Sequence, residues 1–189
     1  MLENYNVILA SKSPRRKQLL SGLGINFEIA SKDVEEVFPE NLDILEVPEY
    51  LAKLKAEPFL DEVDENTLVI TSDTIVTIDN EILGKPHDYN DAVKMLSKLS
   101  GRTHTVATGV FLFNKKRQLS FKATTEVTFK NLTTNEIDYY IANFNPYDKA
   151  GGYGIQEWFG YVAVEKINGS YFNVMGLPVH KLYEELRKF

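Results

Sequence analysis

Cysteine is absent from this chain of 189 residues. That rules out a disulfide scaffold, a thiolate zinc site and a cysteine nucleophile. Histidine is scarce: His87, His104 and His180 are the only three, and none has the His-x-x-x-His spacing that puts two zinc ligands on one helix face. No apolar run approaches the ~20 residues that span a bilayer. Met1–Ala10 has no basic segment leading into an apolar stretch, so neither a secretory leader nor membrane association is expected. Basic residues are in the minority, 21 Lys and Arg against 27 Asp and Glu, for a net charge of −6. This argues against a nucleic-acid binder, which works through a basic surface. The phosphate loop G-x-x-x-x-G-K-[ST] and the nucleophile elbow G-x-S-x-G are both missing. An acidic chain binds a small polyanion only by gathering its cations locally, so where those cations stand becomes the question.

Hydrophobic residues make up 43% and aromatics 12%, enough for a packed core, and the length fits one domain over residues 1–189 with at most a modest second lobe. Val7–Ala10 reads as a short buried strand. Ser13 as N-cap and Pro14 at the first helical position open a helix carrying Leu19, Leu20 and Leu23, which Gly22 or Gly24 stops. Phe27–Ala30 reads as a strand, and an acidic loop runs from Asp33 to Glu40. Pro48 opens a second helix with Leu51 and Leu54, and Pro58 closes it. The β-branched run Leu68–Ile78 predicts a long strand, with Asp79-Asn80 turning into Ile82-Leu83. A helix is expected over Asn90–Leu99 with Gly101 at its C-terminal end. Val106–Phe113 and Phe121–Phe129 read as strands around a polar turn at Asn114–Gln118. Thr133 and Glu136 form a capping box for a helix through Phe144. Gly160–Ile167 reads as a strand and Val179–Lys188 as a terminal helix. Alternating strands and helices give the α/β class with a mixed sheet.

Four constellations bear on chemistry. In Ser11-Lys12-Ser13-Pro14-Arg15-Arg16, two arginines stand in the first turn of a helix, a placement unfavourable by about 0.3–1 kcal/mol each toward the helix dipole. A bound anion reverses that sign, because free N–H groups and two guanidinium forks then converge on it. The alternative is a solvated basic turn. Asp73 stands mid-strand in Leu68–Val76, where a buried carboxylate needs a partner or a metal; a bulge turning it to solvent is the alternative. Lys55, four residues after Leu51, borders an apolar helix face, and Lys85 sits in the tight Gly84-Lys85-Pro86 turn. Either is a surface lysine unless the fold brings it to an anion. In Asp148-Lys149-Ala150-Gly151-Gly152-Tyr153-Gly154-Ile155-Gln156, the glycines permit close backbone approach and Lys149 is a candidate phosphate contact. Gln156 offers a donor and an acceptor to a nucleobase edge. Of the loop acids Asp33, Glu35 and Glu36, one is a candidate to complete a metal site with Asp73 through oxygen ligands.

Taken together and in order, these segments resemble the Maf family of nucleoside triphosphate pyrophosphatases. The matching blocks are Ala10–Arg16, Ser72–Val76, Gly84-Lys85-Pro86, Ser100–Val106, Thr108-Gly109-Val110, Asp148–Gln156, Ile167–Ser170 and Asn173–Pro178. The resemblance implies a twisted mixed sheet flanked by helices, with two lobes around a nucleotide cleft, and often a homodimer. It places the catalytic proton acceptor at Asp73 and phosphate contacts at Ser11, Arg15, Arg16, Lys55 and Lys85. It also places the acidic loop position at Glu36 and base choice at Arg15, Thr74 and Gln156. A divalent metal, Mg²⁺ or Mn²⁺, would lie between Asp73 and Glu36. Gln156 resembles the subgroup acting on dTTP and UTP in the cytoplasm, whereas the 7-methyl-GTP subgroup has Glu there. The alternatives are a purine pyrophosphatase of the 7-methyl-GTP or inosine-triphosphate type, or a nucleotide-sensing regulator of septum formation without turnover. Two departures stand out. Thr71-Ser72 precedes Asp73 where Gly-Ala is usual, which bears on strand packing, and Trp158-Phe159 adds bulk beside the expected base pocket.

Overall fold

The computed structural model describes residue 2 and residues 4–189. Met1 and Glu3, part of the segment from which no leader is expected, lie outside the described residues. The order of elements is β1 (Asn6–Ala10), α1 (Pro14–Ser21), β2 (Glu28–Ala30), α2 (Val47–Ala56), β3 (Thr67–Ile78), β4 (Glu81–Leu83) and α3 (Tyr89–Leu99). β5 (Thr103–Phe113), β6 (Gln118–Phe129), α4 (Thr134–Phe144), α5 (Trp158–Ala163), β7 (Val164–Asn168), α6 (Tyr171–Met175) and α7 (Val179–Leu186) follow. Among the described residues the strands form one seven-stranded mixed sheet in the order β2-β1-β3-β5-β6-β7, with β4 paired to β3. β1 runs parallel to β2 and β3, while β4 and β7 pair antiparallel with β3 and β6.

The chain forms two compact units, and β3, β5 and β6 each contribute to both. The first comprises the residues up to Asp73, Thr108–Ala123 and Gly176–Phe189. Its core gathers Ala10, Ala52, Ala56, Phe59, Val69, Phe111 and Phe113. Small residues on α2 let the helix lie close to the sheet. The closest approach is at Gly109 on β5, where a Cβ would stand 2.3 Å from the backbone of Pro48 and Glu49. Thr71, where glycine is usual, is fully buried, and its hydroxyl donates to the Ala52 carbonyl at 2.6 Å, tying β3 to α2. The polar turn between β5 and β6 is an Asn turn: the Asn114 side chain accepts the N–H groups of Lys116 and Arg117.

The second unit holds Thr74–Ala107 and Thr124–Met175. Asp88 caps α3 by accepting from the Asp91 N–H at 2.8 Å, and Gly101 follows the helix at φ 68°. α4 opens with the expected capping box of Thr133 and Glu136. The strand expected over Gly160–Ile167 begins only at Val164, because Trp158–Ala163 is helical. The Gly160 N–H donates to the Glu157 carbonyl, and a Cβ at Gly160 would meet the Ile155 oxygen at 1.7 Å. The chain therefore turns tightly where an extended run was expected. α6 lies in a segment with no expected element. Phe159 is fully buried against Phe129, Tyr140 and Tyr153, so its bulk belongs to the core and not to a base pocket.

His104 is packed in the same aromatic cluster, edge-on to Phe129 with ring centroids 4.7 Å apart, and its Nε2 shares a 2.7 Å hydrogen bond with the Tyr153 hydroxyl. Burial pulls the imidazole down from 6.5 to about 4. Above pH 6.5 the ring is neutral whether folded or unfolded. Below it the unfolded chain takes up a proton that the folded chain refuses, so stability falls as pH drops from 6.5 toward 4, by roughly 3 kcal/mol in full. Urea melts at pH 7 and pH 4.5 should show a larger loss for the wild type than for His104→Gln. Equal losses would mean that His104 is not the buried group responsible.

Candidate active site

β1 ends at Ala10, and the chain turns through Ser11 into α1. Ser13 caps the helix by accepting from the Arg16 N–H at 3.4 Å, and the Ser11 hydroxyl accepts the Ser13 N–H at 3.2 Å. The first turn contains no acidic residue, and its two arginines are half-buried. Arg16 donates from Nε to the Gly176 carbonyl at 2.9 Å and from Nη1 to the Ser11 hydroxyl at 3.4 Å. Ser72 donates to the same carbonyl at 3.4 Å. The neighbouring Lys12 instead points outward to Asp33 at 2.7 Å, with both side chains largely exposed. Only one part of this basic segment is therefore solvated.

Asp73 does not turn to solvent. It is 8% exposed at the end of the β3 stretch that lies in the first unit. Lys55, on the border of the apolar face of α2, donates to Asp73 Oδ1 at 2.5 Å, and the same ammonium lies 3.0 Å from Glu36 Oε1. Burial lowers the Arg16 guanidinium from its usual value. The negative charges of Asp73 and Glu36 act the other way and raise it, while the positive charge of Arg15 lowers it further. Arg15, Arg16, Asp73 and Glu36 thus share one electrostatic neighbourhood. Removing charge from water is costly, and this group offsets the cost by placing three cations around two carboxylates. The set Ser11, Arg15, Arg16, Glu36, Lys55 and Asp73 comes together within the first unit. Of the loop acids, Glu36 reaches Asp73's partner, and Asp33 is engaged by Lys12.

Thr74, Lys85, Lys149 and Gln156 belong to the second unit. Lys85 is exposed in its turn, and the Gly84 carbonyl of that turn accepts the Gly151 N–H at 2.9 Å. Gly151 has φ 69°, and a Cβ there would meet Val76 at 2.9 Å, so the Lys85 turn, the glycine turn and β3 are drawn close together. Lys149 is 7% exposed and meets two carboxylates, Asp148 at 2.6 Å and Glu157 at 3.2 Å, so its charge is already balanced within its own unit. The Gly176 and Ser72 contacts were not singled out from sequence. Arg16 and Gly176 are 160 positions apart, and no local pattern signals such a pair.

Among the described residues, no three His, Cys, Asp or Glu side chains cluster as a ready-made metal cage. Asp73 and Glu36 nevertheless present oxygens to one cationic position, which suits a hard divalent ion completing its shell with phosphate and water. No helix among the described residues is long and apolar enough to cross a membrane.

A mixed sheet flanked by helices, with a carboxylate–cation cluster beside the first turn of α1, defines an α/β protein. The chain belongs to the Maf family: the family model described as Maf-like protein matches residues 6–189. A dTTP/UTP pyrophosphatase of Phocaeicola vulgatus is 55% identical over 99% of this chain and 97% of its own length. One from Porphyromonas gingivalis is 52% identical over 100% of this chain and 96% of its own length. Among solved structures, the Staphylococcus aureus Ham1 protein aligns with a TM-score of 0.48 at 17% identity, over 66% of this chain and 71% of that one.

Proposed function

We propose that this protein hydrolyses dTTP and UTP to the nucleoside monophosphate and pyrophosphate in the cytoplasm. The carrying observation is that Lys55 joins two carboxylates, Asp73 and Glu36, beside Arg15 and Arg16. The names of the Phocaeicola and Porphyromonas relatives support the choice of substrate. In this reading Asp73 accepts the proton of a water whose oxygen attacks the α-phosphorus. The bond from that phosphorus to the α–β bridging oxygen breaks, and pyrophosphate leaves. Ser11, Arg15, Arg16, Lys55 and Lys85 hold the phosphates and meet the charge that grows on the leaving group. Arg15, Thr74 and Gln156 read the base, and Lys149 shapes the loop before Gln156. Asp73 and Glu36 are the residues that would hold Mg²⁺ or Mn²⁺, which when bound neutralises phosphate charge and polarises the P–O bond under attack.

The test is product analysis after incubating the purified protein with Mg²⁺ and dTTP, UTP, CTP, ATP, GTP, ITP or 7-methyl-GTP. Monophosphate and pyrophosphate from dTTP and UTP, with no diphosphate, is the expected result. A diphosphate product would overturn the bond assignment. Preference for ITP or 7-methyl-GTP would move the specificity to purines, and binding without turnover would make the protein a nucleotide sensor.

A further inference from the structure

Away from Asp73, a chain of hydrogen bonds lies under the loop that carries Gln156. Lys149 and Glu157 close that loop, Nζ to Oε1 at 3.2 Å. The other oxygen of Glu157, Oε2, accepts from the Tyr140 hydroxyl at 2.7 Å, and that hydroxyl in turn accepts the Gly154 N–H at 2.9 Å. Tyr140 is fully buried on α4, its ring stacked on Phe144 and packed against Phe159, so its oxygen is a fixed point. Burial and the Glu157 carboxylate push the phenol far above its usual value, so it remains neutral and serves as donor and acceptor together. A Cβ on Gly154 would lie 2.8 Å from Glu157 Cδ and 3.0 Å from Lys149 Cε. The Glu157 and Lys149 side chains therefore pack directly against Gly154, where a larger residue would displace them. Gln156 sits between the two tethered positions, next to buried Ile155.

We infer that Tyr140 is a positioning residue for base recognition, holding Gln156 in place through Glu157 and the Gly154 N–H so that its amide meets the hydrogen-bonding edge of a pyrimidine. The inference rests on the proposed role of Gln156 in reading the base. Tyr140 acts here through Glu157 and the Gly154 N–H and not on the substrate directly. Its removal should loosen recognition and leave the chemical step alone.

Tyr140→Phe deletes one oxygen and keeps the ring. Steady-state kinetics should show KM for dTTP and UTP rising roughly tenfold, the scale of one lost hydrogen bond, with kcat within about twofold and discrimination against CTP reduced. Glu157→Ala should reproduce this, while Glu157→Gln, which still accepts from the phenol, should keep KM near the wild-type value. If Tyr140→Phe does not fold, Glu157→Ala at its partly exposed position decides the matter. Unchanged KM and discrimination in the variants that fold, or an equal fall in kcat for every triphosphate, would overturn the inference. Gln156→Glu separates the two levels. If it shifts base preference while Tyr140→Phe and Glu157→Ala do not, only the positioning role fails. If it leaves preference unchanged, the reading of Gln156 fails and takes this inference with it.

Discussion

Asp73→Asn is expected to reduce kcat for dTTP by about 10²–10⁴-fold, the usual contribution of a positioned general base, with the fold intact. The substitution keeps the shape of the side chain and leaves an amide oxygen to accept from Lys55, so the 2.5 Å contact survives in neutral form. Lys55 is not stranded by the loss of charge, because Glu36 stands 3.0 Å away on its other side. Because Asp73 is also a proposed ligand of the divalent ion, KM is compared at saturating Mg²⁺, where removing one negative charge from a site meant for a triphosphate should leave it unchanged or lower it. A simple loss of structure would instead raise KM and depress the melting temperature together. Steady-state kinetics beside a thermal melt distinguish the two. Activity within tenfold of the wild type would show that Asp73 does not take the proton, and Glu36 would become the next carboxylate to examine.

The second large effect is on stability. Gly109→Ala places a methyl group 2.3 Å from the Pro48 carbonyl carbon and the Glu49 nitrogen and 2.4 Å from the Glu49 Cα. These are backbone atoms of the first turn of α2, so no flexible side chain can yield and the whole helix must move. Overpacking typically costs about 1–3 kcal/mol and more when backbone resists, which for a chain of this size corresponds to a fall in melting temperature of roughly 5–10 °C. α2 also carries Lys55 and the Ala52 carbonyl that receives Thr71, so activity should fall along with stability. Gly84→Ala is the control, because a Cβ there meets nothing within 4 Å. A melting temperature for Gly109→Ala equal to that of Gly84→Ala would show that α2 does not press on β5 as described.

Local chemistry explains which parts of the fold were legible in the sequence. β3 declares itself by its β-branched run, α1 by Ser13 and Pro14, and α4 by the Thr133–Glu136 box, each a signal contained within a few residues. α5 hides because Trp158–Ala163 reads as apolar and strand-like, and it is the approach of Gly160 to the Ile155 carbonyl that curls it. The same division holds at the site. Arg16 and Asp73 stand out by being charged where charge is costly, whereas their settings come from Gly176 and Lys55, remote in the chain. Lys149, read from its glycine neighbours as a candidate phosphate contact, has partners that no local pattern announces: its ammonium lies between Asp148 and Glu157.

The outer strands of the sheet bear on how the protein behaves at high concentration. β2, at one margin, is three residues long and begins with Glu28; β7, at the other, is five residues long and exposes Glu165 and Lys166. An open sheet margin is a template for strands from other molecules, and short length with charged side chains is what blunts it. A second molecule docking on either margin would have to align with few backbone groups and bring charge against charge. Short margins and charged side chains thereby guard the chain against fibrous self-association.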